Sequence, residues 1–244
     1  MPKNLDPNFY FEDRVDASSQ LIDALPVELL TDNETVVIGV SEGGVYFADK
    51  IAKKVGAQMG ILLTAPILAP NNPEVAIAMI SETEEVVIHK ALTDAFGINE
   101  DYVYAEAHRK YEEEVLSYVY KYRKGRELIS LKGKYVVLAD ECIETGLTMM
   151  VALKSVIARG AKNIYIATPI LDKVVYQNLL TVSDGVFCPH KIQDYISIEY
   201  YYKNFEPLTF DEIDAIVEAQ MQENEEINKN IKDNDINKDS ELNE

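Results

Sequence analysis

Two strand-turn-helix units limit this chain more than any other feature. The first is "TVVIGV", Thr35 to Val40, followed by the turn "SEGG" and by "VYFADKIAKKVG". In that segment Val45, Ala48, Ile51 and Ala52 share one helical face, and Gly56 suits a C-terminal cap. The second is "YVVLA", Tyr135 to Ala139, then "DECIETGLT", a helix from about Met149 to Arg159 closed by Gly160, and the strand "NIYIATPI". Strands apolar at every position are expected where helices cover both faces of a parallel sheet, so the fold class is α/β.

Between these units the spacing predicts a strand in "MGILLTAP", a Pro-punctuated stretch "ILAPNNPEVAIAMI", a strand in "EEVVIHK" and one helix from about Asn99 to Lys124. Tyr104, His108, Tyr111, Val115, Tyr118 and Tyr122 recur on that helix every three or four residues and predict a half-buried face, with His108 packed in it. Tyr195, Tyr200, Tyr201 and Tyr202 lie in "YISIEYYY", whose alternation predicts a half-buried strand; the alternative is a set of rings that stack on a flat ligand.

With 47% hydrophobic residues in 244, the chain can fill one substantial core, expected over 1–220. From Met221 onward, "MQENEEINKNIKDNDINKDSELNE" has no aromatic residue and no sustained apolar face, so 221–244 reads as a disordered acidic tail. The formal net charge of -19 argues against binding to nucleic acid or to an anionic membrane surface. No signal-peptide pattern or membrane-length apolar run is visible, and Cys142 and Cys188 lack zinc-site spacing, so the expectation is a cytoplasmic protein with free thiols. Phosphate-loop, nucleophile-elbow and dinucleotide-binding motifs are absent.

The loop after Ala139 concentrates the chemistry. Ligands of open parallel sheets bind at the carboxyl ends of the strands, and a helix starting near Thr148 directs unpaired N-H groups into this loop. Thr145, Gly146 and Thr148 suit a phosphate cup, while Asp140 and Glu141 at its edge suit sugar hydroxyls or the waters of a Mg2+ ion. A phosphorylated sugar meets both demands. Taken alone, the same loop is equally readable as an ordinary helix cap.

"VVLADECIETGLT" resembles the phosphoribosylpyrophosphate-binding motif of type I phosphoribosyltransferases, and its acid before Thr-Gly is similar to that of hypoxanthine-guanine phosphoribosyltransferase. "YFEDRVDASSQLIDAL", "APNNPEVAIAMI", "KYRKGRELISLKGKYVVLAD" and "YISIEYYYKNFEPLTFDEI" resemble a less characterised bacterial branch of that family, so the likeness covers most of Phe9 to Gln220. The resemblance implies a parallel-sheet fold with a small hood. It also implies transfer of a phosphoribosyl group from phosphoribosylpyrophosphate to a nitrogenous acceptor, Mg2+ as cofactor, and a homodimer. Asp140 and Glu141 would face the ribose and hold Mg2+ through water. Glu144, Thr145, Gly146, Leu147 and Thr148 would cradle the 5'-phosphate, with Glu144 assisting the acceptor base. Ser41, Glu42, Gly43 and Gly44 would lie along the pyrophosphate.

Two departures matter. Glu42 stands where the branch has Arg, and Ala65 and Pro66 stand where a basic pair is expected. A charge-assisted hydrogen bond from each of those cations would be worth about 1.5 to 3 kcal/mol. Lys110, Arg123, Lys124 and Arg126 are candidates to supply the missing charge. The competing reading is a catalytically silent member that binds a nucleotide or sugar phosphate as a sensor or partner-binding module.

Overall fold

The computed structural model describes residues 9–241, with side chains described through 227. Helices α1 (Arg14–Asp23) and α2 (Val27–Thr31) lead into β1 (Thr35–Gly39), α3 (Glu42–Val55) and β2 (Gln58–Ile61). Strands β3 (Thr64–Ala69), β4 (Asn72–Ser81) and β5 (Val86–Ile88) follow, then α4 (Lys90–Phe96) and α5 (Glu100–Lys110). A π-helical turn (Tyr111–Val115) joins α5 to α6 (Leu116–Arg123). The second unit is β6 (Tyr135–Ala139), α7 (Leu147–Ala158) and β7 (Asn163–Ala167). The chain continues through β8 (Ile170–Asp172), α8 (Lys173–Leu180), β9 (Gly185–Phe187), β10 (His190–Ile192) and a 3-10 turn (Ile198–Tyr201) to α9 (Phe210–Glu241).

Five parallel strands form the central sheet in the order β2-β1-β6-β7-β9, with Gly39 opposite Ala139 and Ala139 opposite Ala167 at the carboxyl ends. Alternation along the strands divides the core. Val37 and Val137 meet α3 and α9 through Ile51, Ile213 and Val217, whereas Ile38 and Leu138 meet α7 through Met149 and Leu153. Covering both faces explains why β1 is buried at all five positions.

The hood is the antiparallel sheet β3-β4-β5 packed on α5 and the π-turn, around Ile67, Ile77, Ile80, Val103, Ala107 and Val115. "MGILLTAP" is therefore two strands in two sheets. The chain leaves the central sheet after Ile61, and the Leu63 N-H, freed from a ladder, donates to Glu82 Oε1 at 3.0 Å.

The expected helix over Asn99–Lys124 exists, but the π-turn shifts its face. Val103, Ala107 and Val115 are buried instead of the full tyrosine stripe, and Tyr104 and His108 are exposed. The strand expected in "YISIEYYY" is corrected to a 3-10 turn. Tyr201 and Tyr202 are both buried, which successive side chains of a half-buried strand cannot be, and the Tyr201 hydroxyl accepts from the Ile196 N-H at 2.9 Å.

The boundary placed at 220 falls inside α9. Gln220 Nε2 donates to the buried Asp49 at 2.9 Å, and Asn224 answers both backbone groups of Met59 on the free edge of β2, at 3.0 and 2.7 Å. An edge strand needs such partners, so the start of the expected disordered tail is instead docked helix. The side chains of 228–244 lie outside the described residues. Among the described residues no helix is long and apolar enough to cross a membrane.

Candidate active site

The ends of β1 and β6 bring the two sequence units to one place. Ser41 caps α3 by accepting from the Gly44 N-H at 2.9 Å, and its hydroxyl donates to Asp140 Oδ1, which also accepts from the Glu141 N-H at 2.8 Å. Close approach depends on glycine here. A Cβ at Gly44 would sit 2.6 Å from the Ala139 carbonyl oxygen, and one at Gly43 would fall 2.2 Å from Glu141 Oε2. The Gly44 N-H is spent on the cap of α3.

Asp140 is 7% exposed, and burial pushes its carboxyl up to about 7 despite the two hydrogen bonds that favour the ionised form; the neighbouring Glu141 charge raises it further. Glu141 is ion-paired with Arg14 on α1. The same guanidinium donates to the Glu206 carbonyl and lies 4.8 Å from the Phe205 ring centroid. Sequence reasoning did not single out Arg14. Its only signal was membership of "YFEDRVDASSQLIDAL".

On the other side of Asp140 a hollow of about 210 Å3 is lined by Asp140, Cys142, Glu144, Thr145, Gly146 and Thr148. Gly146, at φ 78°, is the N-cap of α7 and among the described residues no side chain caps that helix; Thr145 Oγ1 makes only a long contact of 3.4 Å with the Leu147 N-H. The first turn of α7 thus keeps donors for an anion. A Cβ at Gly146 would also lie 2.9 Å from Val175. Leu147 itself is buried beside Met79 and Val151, so only its backbone faces the turn. Glu144 and Thr145 are exposed at the rim. Burial pushes the Cys142 thiol up to about 12, with the Tyr195 hydroxyl as its hydrogen-bond neighbour. Tyr195 is therefore half-buried against the loop, while Tyr201 and Tyr202 are core.

A second cleft, about 290 Å3, opens beside Ser41 and is lined also by Glu42, Thr64, Tyr118, Lys121 and Tyr122. The Tyr122 hydroxyl donates to Glu42, and burial together with that carboxylate raises the phenol above its ordinary value. The four cations expected to reach in are committed elsewhere: Lys110 to Glu114, Arg123 to Glu82, Lys124 to Asp214 and Arg126 to Glu225. Lys121 lines the cleft instead. Ala65 is buried in the hood core, and Thr64 is the residue of that strand that reaches the cleft.

Among the described residues no group of three or more His, Cys, Asp or Glu side chains is arranged to hold a metal directly. Asp140 and Glu141 each have one oxygen engaged by protein and are hard oxygen donors, a set that fits Mg2+ held through its own waters.

A sequence model described as the phosphoribosyl transferase domain matches residues 14–202. The chain belongs to the phosphoribosyl transferase family. Two curated relatives from strains of Mycobacterium tuberculosis, both named "Putative phosphoribosyl transferase", are 29% identical over 209 residues, which is 85% of this chain and 46% of theirs. The chain therefore spans about half the length of the curated relatives it matches. The crystal structure of TT1426 from Thermus thermophilus aligns with a TM-score of 0.71 at 29% identity, covering 86% of this chain and 98% of that one. The stretch matched to the phosphoribosyl transferase domain runs from Arg14, which pairs with Glu141, to Tyr202 beneath Phe205, so it contains the acidic pair, the uncapped turn and the cleft.

Proposed function

We propose that the chain transfers the 5-phosphoribosyl group of phosphoribosylpyrophosphate to a nitrogenous acceptor, releasing pyrophosphate. One observation carries the reading: the uncapped first turn of α7 and Asp140 line the same hollow at the carboxyl end of the parallel sheet. The backbone donors of Gly146 to Thr148 and the Thr145 and Thr148 hydroxyls suit the 5'-phosphate. Asp140 and Glu141 accept from the ribose hydroxyls and hold the waters of Mg2+, which when bound neutralises charge on the leaving pyrophosphate.

In the reaction the bond from C1 to the pyrophosphate oxygen breaks, its electron pair leaving with the oxygen, and a bond from C1 to the acceptor nitrogen forms. The acidic pair stabilises positive charge that develops on the ribose. Glu144, exposed at the rim of the hollow, takes or orients the proton lost by the acceptor nitrogen. The half-buried Tyr195 lies against Cys142 of this loop.

Calorimetric titration with phosphoribosylpyrophosphate, with and without Mg2+, tests this. Metal-dependent binding that disappears in the Asp140→Asn/Glu141→Gln variant supports the donor site, and binding unchanged in that variant rejects it. A second reading, a silent sugar-phosphate or nucleotide sensor, is favoured by one feature: Glu141 is already neutralised by Arg14. It predicts donor binding with no pyrophosphate release for any nitrogen acceptor.

A further inference from the structure

We propose that Lys121, on α6, is the residue that binds the diphosphate end of the substrate; the inference rests on the phosphoribosyl-transfer reading. If the 5'-phosphate lies on α7 and the ribose on Asp140 and Glu141, the C1 substituent must leave the hollow on the side away from α7. Ser41, which donates to Asp140, forms the wall there, and the cleft of about 290 Å3 begins at Ser41. That cleft also faces the start of α3, whose positive dipole end favours an anion.

Lys121 is the one cation among the described residues lining the cleft. It differs from its neighbours in what it touches. Lys110, Arg123, Lys124 and Arg126 each hold a carboxylate, whereas the Lys121 ammonium has no carboxylate partner among the described residues. It donates to the Tyr122 hydroxyl oxygen at 3.0 Å and lies 4.6 and 4.5 Å from the ring centroids of Tyr122 and Phe210. In a chain of net charge -19 an ammonium resting on a neutral oxygen and two rings is uncommitted charge.

Tyr122 makes the arrangement compatible with Glu42. Its proton goes to the Glu42 carboxylate and its oxygen accepts from Lys121, so the three residues form a directed chain from ammonium to phenol to carboxylate. Glu42 is thereby turned to Tyr122 and does not oppose an incoming anion with an unpartnered charge. An arriving diphosphate needs only to draw the flexible lysine off a neutral phenol oxygen and two ring faces, in return for hydrogen bonds in which both partners carry charge.

Isothermal titration of the full chain with inorganic pyrophosphate in the presence of Mg2+, and separately with ribose 5-phosphate, tests the assignment. Lys121→Met is expected to weaken pyrophosphate binding about ten- to a hundredfold while leaving ribose 5-phosphate affinity unchanged, and Lys121→Arg to restore pyrophosphate binding to within a few-fold. Lys121 is exposed, so the substitution leaves the fold intact, which a melting curve checks. Equal pyrophosphate affinity in wild type and Lys121→Met overturns the inference, as does an equal loss for both ligands. If wild type binds ribose 5-phosphate but not pyrophosphate, the Lys121 role fails and the phosphate turn stands. If it binds neither, the phosphoribosyl-transfer reading fails with it.

Discussion

Arg14 and Glu141 are 127 residues apart in the chain and form an ion pair in which both side chains are mostly buried, 13% and 12% exposed. The guanidinium also holds the Glu206 carbonyl, so α1, the loop after β6 and the segment before α9 meet at one side chain. The acid expected to meet ribose is held in place by the first residue of the matched domain.

Removing Arg14 leaves Glu141 as an unpaired, mostly buried carboxylate. Arg14→Met is expected to lower unfolding stability by about 3 kcal/mol, the scale on which breaking one side of a buried pair acts. Adding Glu141→Gln should recover most of it in urea titrations. Recovery of less than half would assign the loss to packing on Phe205 instead.

Asp140 titrates near 7 in the fold against an ordinary carboxylate value when unfolded, so its ionisation opposes folding. The cost is absent below about pH 4, grows as pH rises through that window, and is complete above about 7. Asp140→Asn keeps an acceptor for Ser41 and the Glu141 N-H and is expected to melt higher than wild type at pH 8. The gap should close toward pH 4. A pH-independent gap between the two melting curves would contradict this.

Donor affinity should run the other way. Binding that uses the Asp140 carboxylate weakens by about tenfold per pH unit below 7, because one proton must be lost first. Calorimetry across pH 5 to 8 measures the slope, and Asp140→Asn is expected to flatten it.

Glu144 sits at the exposed rim, where a proton acceptor can act without holding the donor. Glu144→Gln is expected to reduce turnover about a hundredfold or more while phosphoribosylpyrophosphate affinity stays within a few-fold. Steady-state kinetics beside direct titration separate the two effects, and parallel losses would remove Glu144 from proton transfer.

Asn224 pairs with both backbone groups of Met59. Asn224→Ala is expected to cost about 1 to 3 kcal/mol and to speed amide exchange at Met59, since an edge N-H and C=O lose their partners together. Unchanged exchange at Met59 would show that water replaces the amide without loss.

The strand-turn-helix units, the parallel sheet and the turn from Glu144 to Thr148 were legible because each rests on neighbours in sequence. Apolar runs mark β1 and β6, Gly56 and Gly160 close helices, and Gly146 adopts the positive φ that a glycine allows. What the residues themselves could not specify was which charges meet. Lys110 meets Glu114 one helical turn away, but Arg123, Lys124 and Arg126 carry the same charge as Lys121, and only tertiary packing decides that those three hold distant carboxylates while Lys121 lines the cleft. The same holds for Tyr201 and Tyr202, whose alternating context suits a strand until two adjacent side chains must both be buried. Local periodicity is written into the order of residues, whereas the pairing of Arg14 with Glu141 and of Asn224 with Met59 exists only after distant segments are brought together, because a contact between separate elements has no sequence spacing of its own.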